Sequence, residues 1–315
     1  MRHFALLILL LLAACDGTIE NDFNEEVVVE SYQFTGAPFS PVFVFTTAPV
    51  GEPFDRTALS INDADVRVLL LAPSGDAVEQ AFTFSRDPIS AGTYRADDAD
   101  HRVLPLRRYR VEIDAPGRPL VSSVTLTPGA FELRGVSTSE ATWGAEEIEY
   151  TFTRPEYPTR QAVFIFTTET QRDRLSIDLA TPFFRAIFNS QEDDEPNPLG
   201  PEDVRVGSSP PNNEANYDLN PVDGTLLIDL PWIAVPFYGP SKVSASSLDD
   251  NLFDFLRSQA VQQGGTTLSP GEIPNVLDRV DGGVGVFGSL SRVTMDVFVR
   301  CETARNFGDA CPADS

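Results

Sequence analysis

Lysine is almost missing from this 315-residue chain; Lys242 stands alone among 23 basic residues, and the rest are arginine. Those arginines face 47 acidic residues, which leaves a net charge of −24. Such a surface repels phosphate backbones and anionic lipid headgroups, so binding to nucleic acid or another polyanion is excluded. Acid excess with lysine depletion suits a protein kept soluble at high salt, or equally an acidic protein from a high-GC genome; either reading speaks of the host rather than of function. Histidine is nearly as scarce. His3 and His101 are the only two, which rules out His-Glu-x-x-His metal motifs, and no Gly-x-Ser-x-Gly elbow accompanies His101 for a Ser/His/Asp triad. No apolar run reaches the roughly 20 residues that a membrane-spanning helix needs.

What is present begins at the N-terminus. Met1-Arg2-His3 is a short basic region, and Phe4 to Ala14 form an apolar run of eleven residues. That is the length of a signal-peptide core rather than of a membrane span. The run ends in Leu12-Ala13-Ala14-Cys15, the small-residue pattern read by bacterial lipoprotein-processing enzymes. It predicts a signal peptide over 1–14 and lipidation of Cys15 as the first mature residue, with an ordinary signal peptide and an incidental cysteine as the competing reading. Several acyl chains, at roughly 0.8 kcal/mol per buried CH2, make such an anchor effectively permanent. Residues 15–25 then form an acidic tether. The other two cysteines, Cys301 and Cys311, fit a disulfide in an exported protein, with a metal pair as the alternative.

About 300 mature residues exceed what one compact core usually holds, so two domains are expected. Over 26–136 the chain reads as short strands separated by turn residues: Val27–Tyr32, Val42–Thr47, Val66–Ala72, Val78–Phe84, Gly92–Ala96, Arg108–Ile113 and Leu120–Thr127. That spacing predicts an immunoglobulin- or transthyretin-like β-sandwich. Pro128-Gly129 and a Ser/Thr-rich stretch mark a boundary, and 137–315 reads as a second β-rich domain. In it, 189–222 is expected as a long exposed loop. Strands are expected at Thr225–Val235 and Arg292–Arg300. One amphipathic helix is expected over 248–263, capped by Ser247 and stopped by Gly264-Gly265. Asn24–Thr47 aligns without a gap on Ala145–Thr168, with Val42-Phe43-Val44-Phe45 on Val163-Phe164-Ile165-Phe166; this is either a true repeat or two similar strand pairs.

Taken in order, several segments resemble one family. They are the lipobox and tether leading into Glu26-Val27-Val28-Val29-Glu30-Ser31, then Ile61–Val68, where Asp63 replaces a usual glycine. Gly92-Thr93-Tyr94 and Tyr109-Arg110-Val111 follow. The most specific are Leu252-Phe253-Asp254-Phe255-Leu256, Pro274-Asn275-Val276 and Gly282-Gly283-Val284-Gly285-Val286-Phe287-Gly288. The chain is similar to the DUF4249 lipoproteins of the Bacteroidota and their relatives. The resemblance implies an envelope-anchored protein with an N-terminal β-sandwich, partnered with a TonB-dependent outer-membrane receptor. It supplies no catalytic residue. Asp16 would signal inner-membrane retention under the enteric rule, but in that lineage acidic residues such as Glu20, Asp22, Glu25 and Glu26 resemble a surface-export signal. The expected location is therefore the outer membrane, with outward and periplasmic facing both open.

Candidate chemistry is thin. Gly283-x-Gly285-x-x-Gly288 matches a dinucleotide fingerprint in form only, since no βαβ unit surrounds it; it reads as a turn or bulge that places Phe287 in the core. His101 reads as an exposed loop residue. Asp63/Asp65, Asp97/Asp98/Asp100 and Glu192-Asp193-Asp194-Glu195 follow no EF-hand spacing. Trp143, Trp232, Phe237 and Tyr238 form either an aromatic platform for a ligand or part of the core. No catalytic, cofactor-binding or metal residue is assigned. The expected function is a non-enzymatic binding or accessory protein; a surface hydrolase using paired carboxylates and a structural or adhesive protein are the alternatives.

Overall fold

The computed structural model describes residues 23–49, 51–52, 55–190, 200–262, 279–303 and 311–312. The expected signal peptide, Cys15, most of the expected tether, the acidic run 192–195, Gly264-Gly265 and Pro274-Asn275-Val276 lie outside the described residues. Among the described residues, no helix is long and apolar enough to cross a membrane.

Among the described residues the protein is mainly β, a sandwich-like arrangement of two sheets with two helices. The first half contributes β1 (Val27–Phe34), β2 (Val42–Thr46), β3 (Asp65–Leu71), β4 (Val78–Arg86), β5 (Thr93–Ala96), β6 (Arg108–Asp114) and β7 (Val121–Leu126). These are the seven strands that alternation predicts. In β1, Val27, Val29, Ser31 and Gln33 turn inward, and Val28, Glu30, Tyr32 and Phe34 turn outward, as a pleat of period two requires.

The second half contributes β8 (Leu133–Val136), β9 (Glu140–Thr142), β10 (Glu149–Phe152), β11 (Val163–Thr170), helix α1 (Pro182–Asn189), β12 (Val206–Ser208), β13 (Asn212–Asn213), β14 (Asp218–Leu219), β15 (Leu226–Asp229) and β16 (Gly239–Leu248). Helix α2 (Asp250–Gln262), β17 (Val280–Asp281) and β18 (Val284–Arg300) complete it. The larger sheet runs β12-β11-β16-β18-β1-β2-β5-β4-β3-β6-β7-β17, with β13 on β11 and β9 on β18; the smaller runs β14-β15-β10-β8.

Two cores form. One holds Val29, Val44, Val68, Phe82, Tyr109 and Val111; the other holds Tyr150, Phe152, Phe164, Phe166, Ile228 and Val299. The two do not divide at 136/137: Phe131 and Leu133 already belong to the second core, and the last strand passes from one core to the other. β18 pairs in parallel with β1 from Val284 to Leu290 and antiparallel with β16 from Leu290 to Val299. Phe287 therefore belongs to the first core, and Val297 and Val299 to the second. β17 pairs with β7 at the end of the larger sheet, and the next residues turn into β18 with Gly283 fitted between Val27 and Val121.

Two further expectations are corrected, and one open alternative is decided. The predicted exposed loop 189–222 carries β12, β13, β14 and two short 3-10 turns. β12 and β13 add to the edge of β11 through backbone bonds that composition does not announce. The segments 24–47 and 145–168 do not share a structure, because β1 and β2 pair with each other while β10 and β11 lie in different sheets. The helix begins at Asp250 and is capped by Asp249, because β16 continues through Ser247 to Leu248. Cys301 and Cys311 are joined in a disulfide, with Cα atoms 5.6 Å apart.

Candidate functional site

A sheet face turned to water ordinarily carries polar residues. The outward positions of β1 and β2 instead carry Tyr32, Phe34, Phe43 and Phe45, all half-buried. The reason is helix α2, which packs on the larger sheet: its Leu252 is buried with Val163, Leu248, Val286 and Leu290, and Phe255 and Leu256 are only partly covered. Gly288 of β18 makes this close approach possible, since a Cβ there would collide with the Leu252 side chain.

Because the helix covers only part of that face, an open groove of about 380 Å³ remains beside it. Phe34, Leu248, Leu290 and Ile165 line it from the sheet, Phe43 from β2, and Phe255 and Leu256 from the helix; Ser40, Thr167, Gln259 and Arg292 are its polar lining residues. The Arg292 guanidinium stacks over Phe34 at 4.6 Å from the ring centroid, and its Nε donates to Ser246 Oγ at 3.1 Å. Packing against apolar walls pulls its pKa below the ordinary arginine value. Arg56 stands beside the groove, 4.2 Å over the Phe43 ring and 4.0 Å from Glu30.

The start of α2 is stitched to both halves. Asp249 is completely buried. Its Oδ1 accepts from the Leu252 N–H at 2.8 Å, its Oδ2 accepts from Thr125 Oγ1 of β7, and its N–H donates to the Ser289 carbonyl at 3.0 Å. Asn251 Nδ2 donates to the Phe287 and Val124 carbonyls at 2.7 and 2.9 Å. Burial pushes the Asp249 pKa up to about 7 against the pull of those hydrogen bonds. Further along the helix, Asp254 holds Arg279. A second, more polar hollow of about 560 Å³ lies near Tyr157, and both of its arginines are paired with acids. Arg154 donates twice to the buried Glu214, with Nε at 3.0 Å, and Arg160 pairs with Asp250 at 2.7 Å.

The residues singled out by sequence scatter. Of the two readings of the aromatics around Trp232, core packing holds for Phe237 and Tyr238, which are 0% and 1% exposed and turned into two different cores. Trp232 is partly buried 6.5 Å from Trp143. A Pro-flanked aromatic run looked like an exposed strand end, whereas a 3-10 turn at Trp232–Ala234 swings it inward. His101 is not a free loop residue. It stacks on Phe39 at 4.8 Å, lies 4.2 Å from Phe82, and its Nε2 is 3.1 Å from Tyr109 Oη. Burial lowers its pKa.

Gly283, Gly285 and Gly288 serve strand and helix packing, with Phe287 in the core. Asp98 caps its own turn by accepting from the Asp100 and His101 N–H groups. Among the described residues, no group of three or more His, Cys, Asp or Glu side chains is placed to hold a metal ion. The groove itself had a sequence signal that went unread, the outward aromatics of two adjacent strands.

Comparison with known proteins adds family membership. The solved structure of CBD12 from CALX1.2 aligns over 86% of this chain and 100% of that one, but 13% identity and a TM-score of 0.17 carry no argument. No curated protein matches the chain. A family profile described as a domain of unknown function, DUF4249, matches residues 16–295. The stretch takes in the first core, most of the second and all the walls of the groove, and the chain belongs to the DUF4249 family.

Proposed function

We propose that the chain is a lipid-anchored, non-enzymatic binding protein of the cell envelope, held to the outer membrane through Cys15 and acting as an accessory partner of a TonB-dependent receptor. The observation that supports a binding role is the open apolar groove beside α2. Apolar walls with a few placed polar groups are the usual makeup of a ligand site, and half-exposed aromatics are costly to leave wet without a partner. A hydrolase with paired carboxylates needs two acids facing each other across a cleft. The buried acids here have other partners: Asp249 caps a helix, Glu214 holds Arg154 and Asp254 holds Arg279.

The tether enters the fold at the start of β1, where Glu25 pairs with Arg118. Tyr32 and Phe34 lie at the far end of that strand, roughly 20 Å away at about 3.3 Å per residue. An anchor at Cys15 would thus hold the groove clear of the bilayer, where a partner can reach it. Two measurements test this reading. Cys15→Ser is expected to move the protein from the membrane pellet to the soluble fraction. Wild-type protein purified from detergent-solubilised membranes is expected to bring a TonB-dependent receptor with it. Recovery of no receptor, under conditions that retain known complexes, counts against the accessory role.

A further inference from the structure

We propose that the groove beside α2 binds an acyl chain ending in a carboxylate, a free fatty acid in class, with Arg292 holding the head group. This rests on the binding role proposed above and names its ligand.

Three observations carry it. The first is the wall chemistry: Phe34, Leu290, Ile165, Phe43, Phe255 and Leu256 offer a continuous apolar lining, and each CH2 removed from water onto it is favourable. The second is charge. The chain holds 47 acidic residues, yet no Asp or Glu lines this groove. The third is Arg292 itself. Arg154, Arg160 and Arg279 each hold a carboxylate. Arg292 has no acidic partner among the described residues; it gives Nε to Ser246 and stacks on Phe34. Its two Nη groups make no hydrogen bond to the described residues, and a guanidinium edge suits a carboxylate.

An apolar chain alone would need no cation, and a free anion alone would need no apolar walls. The two together describe an amphiphile with one anionic end. The cavity, about 380 Å³, lies within the span of roughly 300–1,000 Å³ common for small-molecule sites. The head group would meet Arg292, with the Thr167 and Ser40 side chains in reach of the same lining. The chain would lie over Phe34 and Leu290 beside Phe255 and Leu256.

The test is calorimetric titration of the mature chain carrying Cys15→Ser with decanoate, decan-1-ol and decyltrimethylammonium. Decanoate is expected to bind saturably, and more tightly than the other two. Arg292→Gln should weaken decanoate about tenfold, the worth of one charge-assisted contact, and leave decan-1-ol unchanged. Arg292→Lys should retain most of the decanoate affinity, and Leu256→Glu should abolish binding of both. No saturable binding of decanoate, equal affinity for decanoate and decan-1-ol, or an Arg292→Gln protein that binds decanoate like the parent overturns the proposal. If the receptor still co-purifies while decanoate fails to bind, the ligand class is overturned and the accessory role stands. If Leu256→Glu instead abolishes receptor co-purification in a chain that never bound decanoate, the groove belongs to a protein partner, which also overturns the fatty-acid assignment.

Discussion

Replacing Gly285 by alanine is expected to abolish soluble, folded protein. Gly285 lies on β18 opposite Val29 of β1 with φ at +114°. A side chain at such a φ strains the backbone by about 1–3 kcal/mol. The larger cost is steric. A Cβ there would overlap the Val29 backbone, carbonyl oxygen included, and none of those atoms can rotate out of the way. Relief would require separating β1 from β18, the parallel pair that carries the last strand into the first core. The total should exceed about 4 kcal/mol, a large share of the 5–15 kcal/mol that holds a typical domain together. Gly36→Ala is the matched control, because Gly36 also has a positive φ, +80°, but an added Cβ meets nothing within 4 Å; it should cost about 1–2 kcal/mol. Soluble yield and urea midpoints decide the matter. A Gly285→Ala protein that unfolds at the same midpoint as Gly36→Ala would refute this account of the parallel pairing.

The second large effect is a reversal of pH dependence at Asp249. The unfolded chain releases this proton near 3.8, and the folded chain near 7. Between those values the folded state holds more protons than the unfolded one, so stability falls as pH rises. The contribution is whole below about pH 4 and gone above about pH 7. Neighbouring Asp250 adds repulsion in the same direction. Asp249→Asn keeps an oxygen to accept from the Leu252 N–H and gains an amide donor toward Thr125 Oγ1, while removing the buried charge. At pH 8 it should be more stable than the parent by on the order of 2–4 kcal/mol, and by pH 4–5 that advantage should vanish.

Asp249→Ala should keep only part of that gain, since it loses the helix cap at about 1 kcal/mol. His101 contributes with the opposite sign. Burial lowers its pKa, so its share of stability is present above its ordinary value and lost in acid; it cancels in the comparison because both proteins carry it. Urea midpoints at pH 4, 6 and 8 measure the difference. An offset between Asp249→Asn and parent that stays constant across that range would show that the carboxyl ionises normally.

The first half of the fold was legible because its strands alternate. Val42, Val44, Val66, Val68, Tyr109 and Val111 face one core at period two, and a single window contains the signal. The second half hides its strands. β16 reads Gly-Pro-Ser-Lys-Val-Ser-Ala-Ser-Ser-Leu, yet eight of its ten residues are buried. Small hydroxyl residues suit a central strand packed on both faces, and no periodicity reveals that. The same blindness moved the helix cap from Asp249 to Ser247, because a serine inside an unrecognised strand looks like a capping residue. β18 was read only from Arg292 onward, since Gly285, Gly288 and Ser289 resemble a turn until their partners on β1 are known.

The aromatic candidates failed for a related reason. Pro231-Trp232 and Pro236-Phe237-Tyr238 carry the composition of a ligand platform, but composition does not tell which way a 3-10 turn points. Tyr32, Phe34 and Phe43, which do line the groove, were visible in the sequence as outward positions of strands. They gained meaning only when α2 was seen to cover part of that face.

Short windows of sequence determined what depends on neighbours in the chain: an apolar run ending at Cys15, an acid excess, a late cysteine pair and a first half of alternating strands. Which strand β18 joins, where Asp249 is buried and how much of the sheet α2 leaves open depend on contacts between segments more than a hundred residues apart, such as Thr125 with Asp249. Those contacts are settled by packing, because a glycine, a serine or an arginine gains its role from the atoms brought against it.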